Sequence, residues 1–298
     1  MSAVGIDIGG ASIRAGIVDA GGKLILREVV PLPTRGEPRA LNPVLRKLVQ
    51  DVTSKAGPST PRPIGIGLPG IWDRATGIMR KAVNLPALVG VNLQTFFREA
   101  CGGATHIDSD VNCAAWAQHA ALQPQPRRLV YLSLGTGVGG GVVIDGHLMR
   151  HTNGGGGHFG FLCVEADERL GAAHGHAPVL LSDLVGGPAL AHHSARELDI
   201  RQGQPVESLG PRTLSAAARA LAFSIRNLIA IYQPDAVLLG GGVIDHFPTL
   251  VAATDSEYRR LPHPLALPDF RIAAAPLATH DAGVIGAALL ALNAVAPT

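Results

Sequence analysis

Two aspartates carry the chemistry open to this sequence. Asp110 stands in Asp108-Ser-Asp-Val-Asn-Cys-Ala-Ala-Trp116, where a short strand over 104–107 turns into a helix. A carboxylate at that junction has two readings. It can cap the helix by accepting its first free N–H groups, or it can act as a general base within reach of a substrate hydroxyl. Asp7 ends an apolar run directly before Gly9 and Gly10. Glycines placed there expose backbone N–H groups with no Cβ in the way, which suits a phosphate.

The elements that must position these residues are glycine-turn hairpins. Residues 128–145 read as a strand over 129–134, a turn at Gly135, Thr136 and Gly137, and a second strand over 140–144. Gly135, Gly137 and Gly140 spell G-x-G-x-x-G, but a dinucleotide-binding fold needs a helix directly after the glycines, and here a strand follows. The N-terminus repeats the pattern, with a turn at Gly9 and Gly10, another over 19–22 and a third strand over 23–30. In the second copy Asp145-Gly146 makes the turn and the third strand begins at His147. Two such units about half a chain apart indicate a duplicated domain rather than a short-period solenoid. Facing each other across a cleft, the two turns would clamp a nucleotide's phosphates; each taken alone is an ordinary glycine hairpin.

A chain of 298 residues, 47% hydrophobic and 16% charged, can bury the cores of two lobes and is not disordered. The formal net charge of +2 forms no basic stripe, so nucleic acid is not implied. Cys101, Cys113 and Cys163 are widely spaced with no C-x-x-C pair, which suits reduced, buried thiols in a cytoplasm. No basic leader precedes the first strand, and no apolar run reaches spanning length without glycine or polar interruption. Neither secretion nor membrane insertion is expected. G-x-x-x-x-G-K-[ST] is absent, which excludes a P-loop. A proline-rich loop over 31–43 leads into a helix with Val44, Leu45, Leu48, Val49 and Val52 on one face. Residues 63–68 read as a buried strand ending at Pro69-Gly70, and long helices begin at Thr213 and Asp281.

Three segments in combination resemble the ROK family of repressors and sugar kinases, part of the hexokinase–actin superfamily. They are Asp7-Ile-Gly-Gly-Ala-Ser-Ile-Arg14, Gly65-Ile-Gly-Leu-Pro-Gly70 and Leu134-Gly-Thr-Gly-Val-Gly-Gly-Gly141, and the resemblance runs on to His280-Asp-Ala-Gly-Val-Ile-Gly-Ala-Ala288. It implies an α/β fold, two-lobed and ribonuclease-H-like (actin/hexokinase-like), with duplicated domains and a cleft between them. The small lobe would be 1–109, with the helix at about 284–298 packing back on it, and the large lobe 110–283. ATP and magnesium are the implied cofactors, and a sugar is the implied partner, commonly with a homodimer. The implied reaction moves the γ-phosphate to a hydroxyl, the 6-hydroxyl of a hexose or N-acetylhexosamine. Residue by residue, Asp110 matches the general base, and Asp7 would hold magnesium through water. Gly9, Gly10, Ser12, Arg14, Gly135, Thr136, Gly137 and Gly139 would meet the phosphates. Gly240, Gly241 and Gly242 either seat adenosine or make a tight turn for close helix packing. Gly70, Asn84, Ser109, His158 and Ser182 line the sugar site with Asp110, although Asn84 also suits a turn before Pro86. The family's repressors add an N-terminal helix-turn-helix, for which a strand starting at residue 3 leaves no room.

The substrate motifs depart from the pattern. The usual Glu-Asn-Asp-Ala-Asn is Asp108, Ser109, Asp110, Val111 and Asn112 here, so serine replaces a sugar-binding asparagine. The usual Gly-Glu-Ile-Gly-His is Gly157-His-Phe-Gly-Phe161, which puts His158 and Phe161 where the family has its sugar-binding glutamate and histidine. Bacterial N-acetylmannosamine kinases are similar in carrying histidine at the first place, which tilts the acceptor towards an N-acetylated hexosamine. The zinc cluster Cys-x-Cys-Gly-x-x-Gly-Cys is missing. His174 and His176 stand in its region as a weak metal pair or a solvated loop, and Ser182 takes the place of a following glutamate. A sugar kinase is therefore the leading reading. A sensor that kept the fold and lost the chemistry is the alternative, and a structural ATPase is the third.

Overall fold

The computed structural model describes all residues except 34–37, 58–60, 152–156, 165–178, 202–203, 263–270 and 296–298. The chain forms two compact units. The first comprises Met1–Gln125, Leu148–Gly156 and His280–Thr298. Its sheet begins with an antiparallel meander, β1 (Ser2–Ile8), β2 (Ser12–Asp19) and β3 (Leu24–Pro31). Helix α1 (Leu41–Lys55) follows, then β4 (Ile64–Leu68), the small hairpin β5 (Ile71–Trp72) and β6 (Met79–Lys81), and α2 (Leu93–Cys101). Strand β7 (Thr105–Ser109) pairs parallel with β4, which pairs parallel with β1, giving the order β3-β2-β1-β4-β7. Helix α3 (Asp110–Ala121) leaves β7 directly.

The patterning explains the layers. β1 and β4 are buried on both faces, whereas β3 alternates half-buried and exposed residues as an edge strand should. Leu41, Leu45, Leu48, Val49 and Val52 of α1 recur at helical spacing and are buried in the unit's apolar cluster. This helix starts inside the stretch read as a proline-rich loop. Pro43 falls in its first turn, where an N–H has no intrahelical acceptor to lose. The C-terminal helix (Thr279–Val295) covers the sheet at backbone distance. A Cβ on Gly5 would lie 2.0 Å from the Val284 carbonyl oxygen, and one on Gly65 would lie 1.8 Å from that of Ala287. One on Gly286 would lie 1.7 Å from the Cys113 carbonyl oxygen, so α3 is locked to the same helix. Hence α3 belongs to the first unit, although the division at residues 109 and 110 puts it in the large lobe.

The second unit comprises Pro126–His147 and Gly157–Thr279. Strands β8 (Arg128–Leu134), β9 (Val138–Ile144) and β10 (His147–Leu148) repeat the meander. Strands β11 (Ala236–Gly240) and β12 (Arg271–Ala274) add in parallel beside β8, giving β10-β9-β8-β11-β12. The two sheets share one order, which is the duplication read from the glycine turns. Helices α4 (Leu181–Val185), α5 (Gly187–Glu197), α6 (Pro211–Tyr232), α7 (Gly242–His246) and α8 (Thr249–Arg260) complete the unit. Among the described residues only α6 is long and apolar enough to cross a membrane, and its Ala217, Leu221, Ile225 and Leu228 are buried within the protein. It begins at Pro211 rather than Thr213. The Glu197 carboxylate accepts from the N–H groups of Arg212 and Thr213, at 2.8 Å each, which anchors that first turn. Of the cysteines, Cys101 and Cys113 are buried as expected and Cys163 is exposed.

The Gly65 contact generates a test. Gly65→Ala drives a methyl into the Ala287 backbone, which no side-chain rotation relieves, and should cost about 3 kcal/mol in urea unfolding. Gly103→Ala, where a Cβ meets nothing within 4 Å, should change stability by less than about 1 kcal/mol.

Candidate active site

The first aspartate sits at the end of the central strand. Asp7 pairs across the hairpin with Arg14, whose guanidinium donates to its Oδ2 at 3.2 Å. The turn between them closes when the Gly9 N–H donates to the Ser12 carbonyl, at 2.9 Å. The Asn84 side chain lies over this turn, so that a Cβ on Gly10 would meet its Nδ2 at 3.0 Å. The C-terminal helix leaves room for the carboxylate only because residue 283 is glycine; a Cβ there would lie 2.7 Å from Asp7 Cγ. Burial, and then the nearby Asp110, raise the Asp7 carboxyl from 3.8 to about 6 against the pull of Arg14. A buried carboxylate whose charge is disfavoured, next to a second carboxylate, is a donor set that a hard divalent cation such as magnesium would relieve. Among the described residues no group of three or more His, Cys, Asp or Glu is gathered to hold a metal. His174 and His176 lie outside the described residues.

The second aspartate opens α3 without capping it. Ser109 is the N-cap, its Oγ accepting from Asn112 N–H at 3.2 Å. Asp110 occupies the first helical position and accepts from Val111 N–H at 2.8 Å. Burial raises its carboxyl above the usual value, and the Val111 N–H opposes the shift. The capping role that competes with catalysis for Asp110 is thus filled by its neighbour. Asp108, two residues earlier, behaves in the opposite way. It is fully buried, yet Arg74 and Arg150 outweigh burial and hold its carboxyl below the ordinary range. Gly70, at the end of β4, is confined by the β5–β6 hairpin: a Cβ would lie 2.8 Å from the Lys81 carbonyl oxygen.

In the second unit the turn is built from Gly135, Thr136 and Gly137, with the Gly135 N–H donating to the Gly137 carbonyl at 2.9 Å. Val138 and Gly139 lie in β9, paired with Leu134 and Ser133, so the second strand begins two residues earlier than the expected 140. The Gly187 N–H donates to the Gly135 carbonyl at 2.8 Å, and the Ser182 Oγ accepts from Val138 N–H at 3.2 Å. Ser182 therefore braces the glycine turn. A Cβ on Gly160 would meet its hydroxyl at 2.0 Å, which brings the segment carrying His158 and Phe161 to the same corner. Those two exposed rings lie 6.1 Å apart, with Phe161 67% exposed. Gly241 has φ +94°, and a Cβ on it would lie 2.3 Å from the Leu134 carbonyl oxygen, so the turn after β11 rests on the end of β8. Gly240 lies beside buried Tyr131, and Gly242 faces open space.

The profile of the ROK family matches residues 3–294. The chain belongs to the ROK family. It is an ATP-dependent sugar kinase of that family, related to N-acetylmannosamine kinases. The Salmonella typhi N-acetylmannosamine kinase is 30% identical over 308 residues, covering 98% of both proteins. A ROK hexokinase from Thermus thermophilus is 29% identical with a TM-score of 0.79, covering 99% of each chain. A ROK glucokinase from Streptomyces griseus, solved with glucose and AMPPNP, shares the fold with a TM-score of 0.79 at 23% identity, covering 98% of this chain and 100% of that one.

Sequence reasoning missed three participants: Asp108's buried charge and the two arginines that hold it. Arg74 and Arg150 stand 34 and 42 residues from Asp108, so no local spacing reveals the cluster.

Asp7 predicts a pH effect. A carboxyl with a raised folded-state pKa stabilises the fold while protonated; that contribution is full below 3.8 and is lost as pH rises through about 6. Asp7→Asn should therefore be more stable than wild type at pH 7.5 by up to about 3 kcal/mol, less what the Arg14 pair contributes. The advantage should vanish near pH 4, as read from Tm against pH for both proteins.

Proposed function

We propose that this kinase phosphorylates an N-acetylated hexosamine such as N-acetylmannosamine, on its 6-hydroxyl, with Asp110 as general base. The observation that carries the reading is the division of labour at the start of α3: Ser109 caps the helix, which leaves the half-buried Asp110 carboxylate for a substrate hydroxyl. Similarity to the N-acetylmannosamine kinase over 98% of both chains supports the acceptor class. Asp110 orients the hydroxyl and accepts its proton as the oxygen attacks the γ-phosphorus of ATP. The bond from that phosphorus to the β–γ bridging oxygen breaks, and ADP leaves. A carboxyl with a raised pKa is better matched to that proton than an ordinary aspartate. The glycine turn of each unit lets phosphate oxygens approach its backbone, the Gly9 and Gly135 N–H groups being used to close the turns, and Arg14, already held by Asp7, adds a positive charge at the first. Magnesium held at Asp7 through water would neutralise phosphate charge when bound. Ser109 and Ser182 keep one hydroxyl proton each for the sugar, and His158 and Phe161 form an aromatic edge in place of a carboxylate and an imidazole. The second reading is a sugar- or nucleotide-binding sensor, which the changed positions Ser109, His158, Phe161 and Ser182 favour and the retained Asp110 opposes.

Sugar-dependent ADP release with magnesium-ATP, across hexoses and N-acetylhexosamines, tests this. Wild type should turn over best with an N-acetylhexosamine, and Asp110→Asn should lower kcat by roughly 10²- to 10⁴-fold. Equal turnover by Asp110→Asn would remove Asp110 as the base. Saturable sugar binding without turnover would select the sensor.

A further inference from the structure

The charge cluster one turn away from Asp110 has no assigned role. Asp108 Oδ1 accepts from Arg74, from Ser109 N–H at 2.8 Å and from Asn112 Nδ2 at 2.9 Å. Its Oδ2 accepts from Arg150 Nε at 2.6 Å. The carboxylate is completely buried, while the two arginine side chains are 22% and 35% exposed. Together with the Ser109 cap on Asn112, these bonds close residues 108–112 into a ring of contacts with Asp110 at its centre. Each arginine then ties that ring to a different part of the first unit. Arg74 comes from the β5–β6 hairpin, where its guanidinium lies 5.4 Å from the Trp72 ring. Arg150 comes from the segment Leu148–Gly156, which returns to this unit. His106, on the same strand as Asp108, has a buried Nε2 with no hydrogen-bond partner, and burial followed by Arg150 keeps its imidazole neutral. Among the described residues, Asp108 is the carboxylate with which both arginines pair.

We propose that Asp108, clamped between Arg74 and Arg150, is a positioning residue that fixes Asp110 for phosphoryl transfer and couples it to the β5–β6 hairpin and to the backbone at Arg150. Buried ion pairs contribute little net stability compared with apolar residues of the same volume, and their best-attested use is to specify one arrangement. Here the specified arrangement is the backbone on both sides of Asp110. The inference rests on Asp110 being the base. A residue acting through Asp110 affects the transition state and leaves ground-state binding alone, so it should change kcat and not KM.

The charge count supplies the test. Asp108 at −1 and the two arginines at +2 sum to +1; Asp108→Asn makes +2, and adding Arg150→Gln returns it to +1. Asp108→Asn should lower kcat by roughly 10- to 100-fold, the scale of a small misplacement of a catalytic group, with KM for ATP and for the sugar within about twofold of wild type. Asp108→Asn/Arg150→Gln should regain part of that loss, which a merely structural role would not produce. Should Asp108→Asn not fold, Arg74→Gln and Arg150→Gln answer in its place: a lower kcat at unchanged KM supports the proposal. A lower Tm with wild-type kcat overturns it, as does a double variant no faster than Asp108→Asn. Asp110→Asn is measured alongside. If it turns over normally, the base assignment fails and takes this proposal with it. If it is inactive while every Asp108 and arginine variant keeps wild-type kcat, only the positioning role fails.

Discussion

The first unit depends on a backbone-to-backbone contact. The carbonyl oxygens of Val284 and Ala287 occupy the space where side chains on Gly5 and Gly65 would be, and the Cys113 carbonyl does the same at Gly286. Such an approach needs glycine on the strands, because no side chain can rotate out of the way of a main-chain oxygen. It fixes three elements at once: β1, which ends in Asp7; β4, which leads to Gly70; and α3, which begins with Asp110. Gly283 extends the seam to the Asp7 carboxylate itself. The distance between the two aspartates, one on β1 and one on α3, is therefore set by helix-on-sheet packing.

Within that frame the three aspartates around Cys113 have three environments. Asp108 has two arginines, an amide and an N–H, and stays ionised. Asp7 has one guanidinium against burial and a neighbouring acid. Asp110 has burial, opposed by the backbone N–H groups of Val111 and of Asp110 itself. Cys113 shows how close they are: after burial, all three carboxylates push its thiol upward. Neighbouring acids driven apart in this way are what a site needs when one group must stay charged and another must accept a proton.

The repeated sheet was legible in the sequence because each copy carries the same local signals, an apolar run, a glycine turn and a second run. Asp110 was legible only as a choice between cap and base. What the structure adds is that the cap is Ser109, whose side chain accepts from Asn112 N–H, which no spacing rule forecasts because serine and aspartate both cap well. The Arg74–Asp108–Arg150 cluster was not legible, since its members meet only once the hairpin and the returning segment have folded. The packing of α3 was hidden for a related reason. A strand–helix junction looks like a boundary in sequence, but Gly67 and Gly286 grip Cys113 from two sides and keep α3 with β4.

The seam also bears on how the chain is made. Strands β1, β2 and β4 emerge first during synthesis, but the helix that covers Gly5 and Gly65 emerges last, after the whole second unit. Until then one apolar face of the first sheet has no native cover, while the second unit holds all its residues and can close on its own. The first unit can therefore complete its helix-on-sheet packing only after the second unit has been synthesised.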